Sequence, residues 1–101
     1  MESMNIHNNM LKLKEQVREL VLNERYAIQW QHILSRHPNI TEDDIINGLL
    51  YGHYKPDREI DGRYLSWSRM NYPPRLIRIV FEVHETDAGS LVWITTAFDE
   101  D

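Results

Sequence analysis

The chain has 101 residues and a mass of 12.1 kDa; at 42% hydrophobic and 27% charged it carries enough apolar material for one folded domain and too much for intrinsic disorder. It contains no cysteine, which excludes disulfides, thiolate metal sites and cysteine nucleophiles. The formal net charge of −5 is unevenly spread: residues 51–81 carry six Lys/Arg against three acids, and residues 82–101 carry six acids and no base; the negative balance does not recommend a general polyanion binder and leaves only the locally basic middle of the chain to meet phosphate.

Asn8-Asn9 is a natural helix start, and Met10, Leu13, Val17, Leu20 and Val21 recur at helical spacing. The expectation is an amphipathic helix over Asn9 to Asn23, too short in apolar area to stand alone. From Tyr26 to His37 the repeat of Ala27, Trp30, Ile33 and Leu34 favours helix, with a short extended lead-in at Tyr26–Gln29 and an end forced by Pro38. Thr41 before Glu42-Asp43-Asp44 combines an N-cap residue, an acid three positions on and negative charge at the positive dipole end. A helix from Glu42 to Tyr51 follows, burying Ile45, Ile46, Leu49 and Leu50, with Gly52 in the C′ role.

Beyond Tyr54 the pattern turns to strands. Asp61-Gly62 predicts a hairpin turn, and Tyr64 to Arg69 alternates Leu65/Trp67 with Tyr64/Ser66/Ser68. Asn71-Tyr72-Pro73-Pro74 breaks the run. Arg75 to His84 sets Ile77, Ile79, Phe81 and Val83 against Leu76, Arg78, Val80, Glu82 and His84. Thr86-Asp87-Ala88-Gly89 closes a second hairpin, Leu91 to Phe98 is apolar on both faces and so reads as central, and Asp99-Glu100-Asp101 reads as a solvated tail. The whole is a single α+β domain over residues 1–101, with N-terminal helices packed on a three- to four-stranded antiparallel sheet. No stretch approaches the roughly 20 apolar residues of a membrane span, and no signal-peptide core is visible, so a cytoplasmic setting is expected.

Chemistry-bearing signatures are sparse. The chain lacks a Gly-rich phosphate loop, a His-Glu-x-x-His helix, a Gly-x-Ser-x-Gly elbow and a calcium loop. His32 and His37 are five apart, and His7, His53 and His84 lie in separate segments, so neither a metal nor another cofactor is expected. The pair that stands out is His32 with Arg36, one helical turn apart on one face: an acid–base group beside a permanent cation. Spacing alone also allows a half-buried polar histidine beside a solvated arginine.

Trp30-Gln31-His32-Ile33-Leu34-Ser35-Arg36, Ile40-Thr41-Glu42-Asp43-Asp44-Ile45, Gly52, the strand Arg75 to Glu82 and the strand Val92 to Phe98 together resemble a family of small bacterial domains. That family opens on a His-x-x-x-Arg helix, continues with an Ile-Ser/Thr-x-Glu-x-Val helix and a Gly, and ends in paired strands. The resemblance spans about Tyr26 to Phe98 and leaves the first helix outside it. The family is similar to the BrnT and RelE toxins and, more widely, to barnase-, EndoU- and colicin-like ribonucleases. It implies metal-independent RNA cleavage, in which a base takes the ribose 2′-OH proton, a cation stabilises the phosphorane and an acid protonates the departing 5′-oxygen. It implies His32 as the acid–base group, Arg36 as phosphate clamp, and Thr95 or Thr96 as the last-strand hydroxyl at the scissile phosphate. Lys55, Arg63, Arg69 and Tyr64 are candidates for RNA contact because they lie in the basic segment; no motif assigns them.

The rival expectation is a catalytically silent module that docks a protein on the same fold, which the acidity and the extra first helix favour. That helix could serve an antitoxin-like partner or a homodimer, although core packing is its simpler role. Trp30, Trp67 and Trp93 could stack bases, and Tyr51, Tyr54, Tyr64 and Tyr72 cluster near the basic stretch; for each, core or rim packing is the plainer reading.

Overall fold

A computed structural model describes residues 2–71 and 74–100, and the side chains of residues 9–69 and 74–99. The chain runs α1 (Glu2–Leu22), β1 (Tyr26–Ile28), α2 (Trp30–Arg36), α3 (Glu42–Tyr51), β2 (His53–Pro56), β3 (Arg63–Asn71), β4 (Pro74–Thr86) and β5 (Gly89–Glu100). The strands form one sheet in the order β1-β5-β4-β3-β2, with β1 parallel to β5 and every other pairing antiparallel. The architecture is therefore α+β as expected, but the sheet is mixed and has five strands.

The extra strand is the short lead-in before α2. Tyr26, Ala27 and Ile28 pair with Val92, Trp93 and Ile94, and the ladder continues at both ends through Val92 N donating to the Arg25 carbonyl and Gln29 N donating to the Ile94 carbonyl. Three residues are too few to show a period of two, so only the partner strand reveals them. They make β5 an interior strand, which explains its apolar residues on both faces; β4 takes the centre.

α1 begins earlier than its apolar stripe does, and Val17 and Val21 are its buried anchors. It ends on Glu24 at φ 59, with Arg25 N donating to the Leu20 carbonyl and Glu24 N to the Val21 carbonyl. This is the Schellman arrangement, with a glutamate where glycine is the usual residue.

α3 matches its sequence limits residue for residue. Asp44 N donates to Thr41 Oγ1 at 3.2 Å and Thr41 N donates to Asp44 Oδ2 at 3.0 Å, a reciprocal capping box. Gly52 does not take the left-handed C′ conformation; at φ −74 and ψ 170 it is extended. Its requirement is space, since a Cβ there would collide with Ser66 Oγ and the Gly48 carbonyl and stand 2.8 Å from the Trp67 carbonyl. Gly48, one turn earlier, lies as close to Ile79, and its carbonyl accepts from the buried Ser66 Oγ at 2.7 Å. Two glycines and a serine thus bring α3 down onto β3 and β4.

The first hairpin is wider than a two-residue Asp-Gly turn. β2 pairs His53–Pro56 with Tyr64–Trp67, and the connection runs from Asp57 to Gly62. Asp57 Oδ1 accepts from Glu59 N and Ile60 N, and Gly62 supplies φ 81. β3 and β4 are strands up to Asn71 and from Pro74, which pair with each other; Tyr72 and Pro73, at the expected break, lie outside the described residues. The second hairpin turns at Thr86–Gly89 as expected, with Gly89 at φ 108.

All three helices contribute to a core on one face of the sheet. Val17, Val21, Ile33, Ile40, Ile45 and Leu49 meet Ile77, Ile79, Phe81, Val92, Ile94 and Ala97, all but excluded from water. Phe81 is the hub, with the Tyr54 and Tyr64 rings against it at 5.2 and 5.8 Å. Asp99 is not part of a solvated tail: it lies in β5 on this inner face, where its Oδ2 accepts from Arg75 Nε at 2.7 Å. Asp101 lies outside the described residues. No described helix is long and apolar enough to cross a membrane.

Candidate functional site

Strand alternation that sends Ile77, Ile79 and Phe81 into the core sends Leu76, Arg78, Val80, Glu82 and His84 to the other face. Register carries this across the sheet. The outer face therefore also holds His53 and Lys55 from β2, Arg63, Leu65, Trp67 and Arg69 from β3, and Leu91, Trp93, Thr96 and Phe98 from β5. None of these side chains is fully buried. An apolar and aromatic sheet face edged with cations, with the core packed against the other side, is a feature the core does not account for.

Two rows organise it. In the first, Trp67 stands between two cations, with Lys55 Nζ 5.1 Å and Arg78 Cζ 4.9 Å from its ring centroid. Arg78 also lies 5.2 Å from the Phe98 ring, and Phe98 lies 5.8 Å from the His37 ring. The row thus crosses four strands and finishes on the residue that caps α2. A cleft of about 320 Å³ opens on one side of Trp67, lined by Lys55, Arg58 and Leu65 and also by the acids Asp57 and Glu59. A second, of about 430 Å³, opens on the other side between Tyr51, His53, Arg69 and Leu76.

The second row is Arg63, Glu82 and His84 with Trp93. Glu82 Oε2 accepts from Arg63 Nε at 3.2 Å and is ion-paired with Nη2 at 3.1 Å, and Glu82 Oε1 lies 2.7 Å from His84 Nε2. The His84 ring stacks on Trp93, centroids 5.3 Å apart and 16° from parallel. The hydrogen bond with His84 is the largest influence on the Glu82 carboxyl and lowers it; burial opposes this, and the Arg63 guanidinium adds to the lowering, so the carboxyl lies below its ordinary value.

The residues singled out from sequence fall into separate places. His32 and Arg36 are both exposed on α2, whose Ile33 faces the core, and no described hydrogen bond or ion pair joins them to each other or to the last strand. Arg36 lines a small cleft with His37, Pro38, Asn39, Ile40 and Asp99. Thr95 is the extra residue of a bulge in β5, and its hydroxyl donates to the Val80 carbonyl at 3.0 Å. Thr96 sits opposite Val80 on the outer face. Lys55, Arg63 and Arg69 share that face. Tyr64 does not: alternation turns it inward against Phe81. Trp67 and Trp93 are outer-face residues, whereas Trp30 packs against the core cluster.

Arg78, Glu82, His84 and Phe98 carry much of the face and were not singled out from sequence. The side of β4 shared by Arg78, Glu82 and His84 is visible in the alternation of Arg75 to His84; their meeting with Trp67, Trp93, Arg63 and, on β5, Phe98 depends on cross-strand register, which no local pattern encodes. Among the described residues no group of three or more His, Asp or Glu is placed to share a metal ion. Comparisons of the chain with protein-family models, with curated proteins and with solved structures find no match.

Proposed function

We propose that this domain binds single-stranded RNA across the outer face of its sheet. The observation that carries the reading is Trp67, set between Lys55 and Arg78 with an open cleft on either side. Bases of any identity stack on an aromatic ring, and neighbouring cations neutralise the phosphates that link them. Lys55 is exposed, so it can leave the indole for a phosphate as a base takes its place. Arg58, Arg69 and His53 supply further donors along the two clefts.

Most of the acidic residues stand away from the Trp67 row; Asp57 and Glu59 do line one of its clefts, beside Lys55 and Arg58. Glu85 and Asp87 stand at the β4–β5 hairpin end, Asp99 is held on the inner face by Arg75, and Glu82 is matched by Arg63. The basic excess of residues 51–81 is concentrated on the outer face. RNA is chosen over DNA by the resemblance of Tyr26 to Phe98 to ribonuclease-type domains. Arg36, next to His37 in the chain, is an additional cation at that end of the row.

The test is fluorescence anisotropy with a short labelled RNA of mixed sequence. Trp67→Ala is expected to weaken binding about 10- to 100-fold, the loss of one stacked base, while circular dichroism shows an unchanged fold. Equal affinity of the variant and the wild type, or preference for duplex over single strand, would overturn the reading.

A further inference from the structure

β3 is longer than the strand beside it. β2 pairs His53–Pro56 with residues 64–67, whereas β3 continues to Asn71 on its β4 side. Residues 68–71, about 13 Å of strand, therefore have a neighbouring strand on one side only. We propose that this free edge of β3 takes an extended, acidic peptide segment of a partner protein as an added strand in line with β2. The proposal goes beyond the RNA reading and stands without it, because its backbone contacts run along the edge of the sheet and not over the outer face.

Backbone phase fixes which groups the edge offers. The Arg63 carbonyl accepts from Asp57 N at 2.8 Å and Arg63 N donates to the Ile60 carbonyl at 3.3 Å, both partners lying on the β2 side. The register of β3 has no shift against either neighbour, so Leu65, Trp67, Arg69 and Asn71 point their N–H and C=O groups the same way. Leu65 and Trp67 meet Lys55 and His53 of β2, and Pro56, which has no N–H, falls opposite Tyr64, where none is needed. Arg69 and Asn71 meet no strand on that side. The chain before His53 turns away into α3, and the Gly52 carbonyl is taken by Lys14 Nζ at 2.7 Å. Outside the ladders, no described backbone hydrogen bond reaches Arg69. Unpaired backbone donors and acceptors along an extended edge are a template for another strand.

The side chains at this edge select the occupant. The cleft of about 430 Å³ lies here, and none of its lining residues, Tyr51, His53, Trp67, Ser68, Arg69 and Leu76, is acidic. Arg69 is exposed and makes no described ion pair. A residue of the added strand opposite Arg69 shares its side of the sheet, so a carboxylate at that position meets an unmatched cation. The residues before and after it turn to the side of α3. There they meet Tyr51, which is 67% exposed, and Ser68, whose buried hydroxyl oxygen has no hydrogen-bond partner. A second copy of this chain is a poorer occupant. Pairing the same edge across a two-fold axis brings Arg69 up to its own counterpart, and like charges facing across a ladder are destabilising. A charged residue on an open edge is the ordinary guard against such self-pairing, and an acidic segment turns the same charge into an attraction.

The probe is a blocked hexapeptide alternating valine and glutamate. One control peptide carries lysine in place of each glutamate, and a second carries N-methyl groups on the glutamates, which removes their backbone donors. Backbone amide shifts and amide exchange of the full chain are followed by NMR. In the free protein the Trp67 amide is expected to be protected and the Arg69 amide to exchange freely. Protection of Arg69 without peptide overturns the free edge, and its dependence on protein concentration would assign the edge to a second copy. The glutamate peptide is expected to slow Arg69 exchange roughly 10-fold when about nine-tenths of the chain is bound, because only the free form exchanges. It should bind about 3- to 10-fold more tightly than the lysine peptide. Arg69→Glu, with its fold checked by circular dichroism, should reverse that preference, and the methylated peptide should not bind. Equal affinity for the methylated peptide overturns the proposal, as do shifts centred on Lys55 and Trp93 in place of residues 67–71. Absence of glutamate-peptide binding at millimolar concentration also overturns it, and leaves the RNA reading standing on its own test.

Discussion

Arg75 ties three segments together at one end of the inner face. Its Nε donates to Asp99 on β5, its Nη1 to Asp44 inside the α3 capping box, and its Nη2 to the Asn39 carbonyl in the preceding loop. The hydrogen bond to Asp99, and then the charges of Asp44 and Asp99, hold its guanidinium above its ordinary value against an opposing effect of burial, so Arg75 itself stays charged wherever the domain is folded. Glu82 behaves differently. Its folded-state pKa lies below the ordinary carboxyl value of about 4.5, so its contribution to stability is complete above that value and is lost as pH falls through the depressed one. Urea unfolding of wild type and Glu82→Gln should therefore show a stability gap that is constant near neutral pH and narrows below about pH 4.5. A gap independent of pH down to acid unfolding would show that Arg63 and His84 do not favour the ionised carboxylate. The sign matters for the outer face, because the same preference keeps Glu82 negative on the surface proposed to bind RNA.

At the scale of elements, α3 was the most legible part of the chain. Thr41, three consecutive acids and the Ile45/Ile46/Leu49/Leu50 stripe act locally, and local signals survive folding unchanged. The reason for Gly52 is not legible locally, because two of the three atoms that crowd it, Ser66 Oγ and the Trp67 carbonyl oxygen, belong to β3. Gly52→Ala should cost about 2–3 kcal/mol in chemical denaturation, as overpacking against Ser66 and the Gly48 carbonyl forces α3 away from the sheet. An alanine tolerated without loss would mean that glycine is needed only to end the helix. β1 illustrates the same division. Tyr26–Ile28 looked extended, but its pairing with β5 joins residues more than sixty positions apart, and nothing in three residues specifies that partner. The Asp61-Gly62 signal located a turn correctly and mistook its span, since the Asp57 side chain, by accepting from Glu59 and Ile60, builds a longer loop.

At the scale of the whole molecule, segregation of charge along the sequence becomes segregation by face. The basic segment supplies β2 and β3, whose outward residues bear Lys55, Arg63 and Arg69, and Arg78 follows on β4. That these cations interleave with Trp67 and Phe98 depends on register, so the sequence revealed the basic stretch without revealing the surface it makes. An electrostatic surface has a measurable signature. For a single-stranded nucleic acid, log K falls with log salt at a slope of about −0.7 per phosphate neutralised. Lys55→Ala and Arg69→Ala should each reduce the slope by about 0.7 while weakening binding similarly for RNAs of different sequence. Trp67→Ala should weaken binding with the slope almost unchanged, because a stacked base releases no counterion. A slope that moves with Trp67 and not with Lys55 or Arg69 would place the phosphates elsewhere on the protein, and the outer face would then have to be explained by an apolar partner instead.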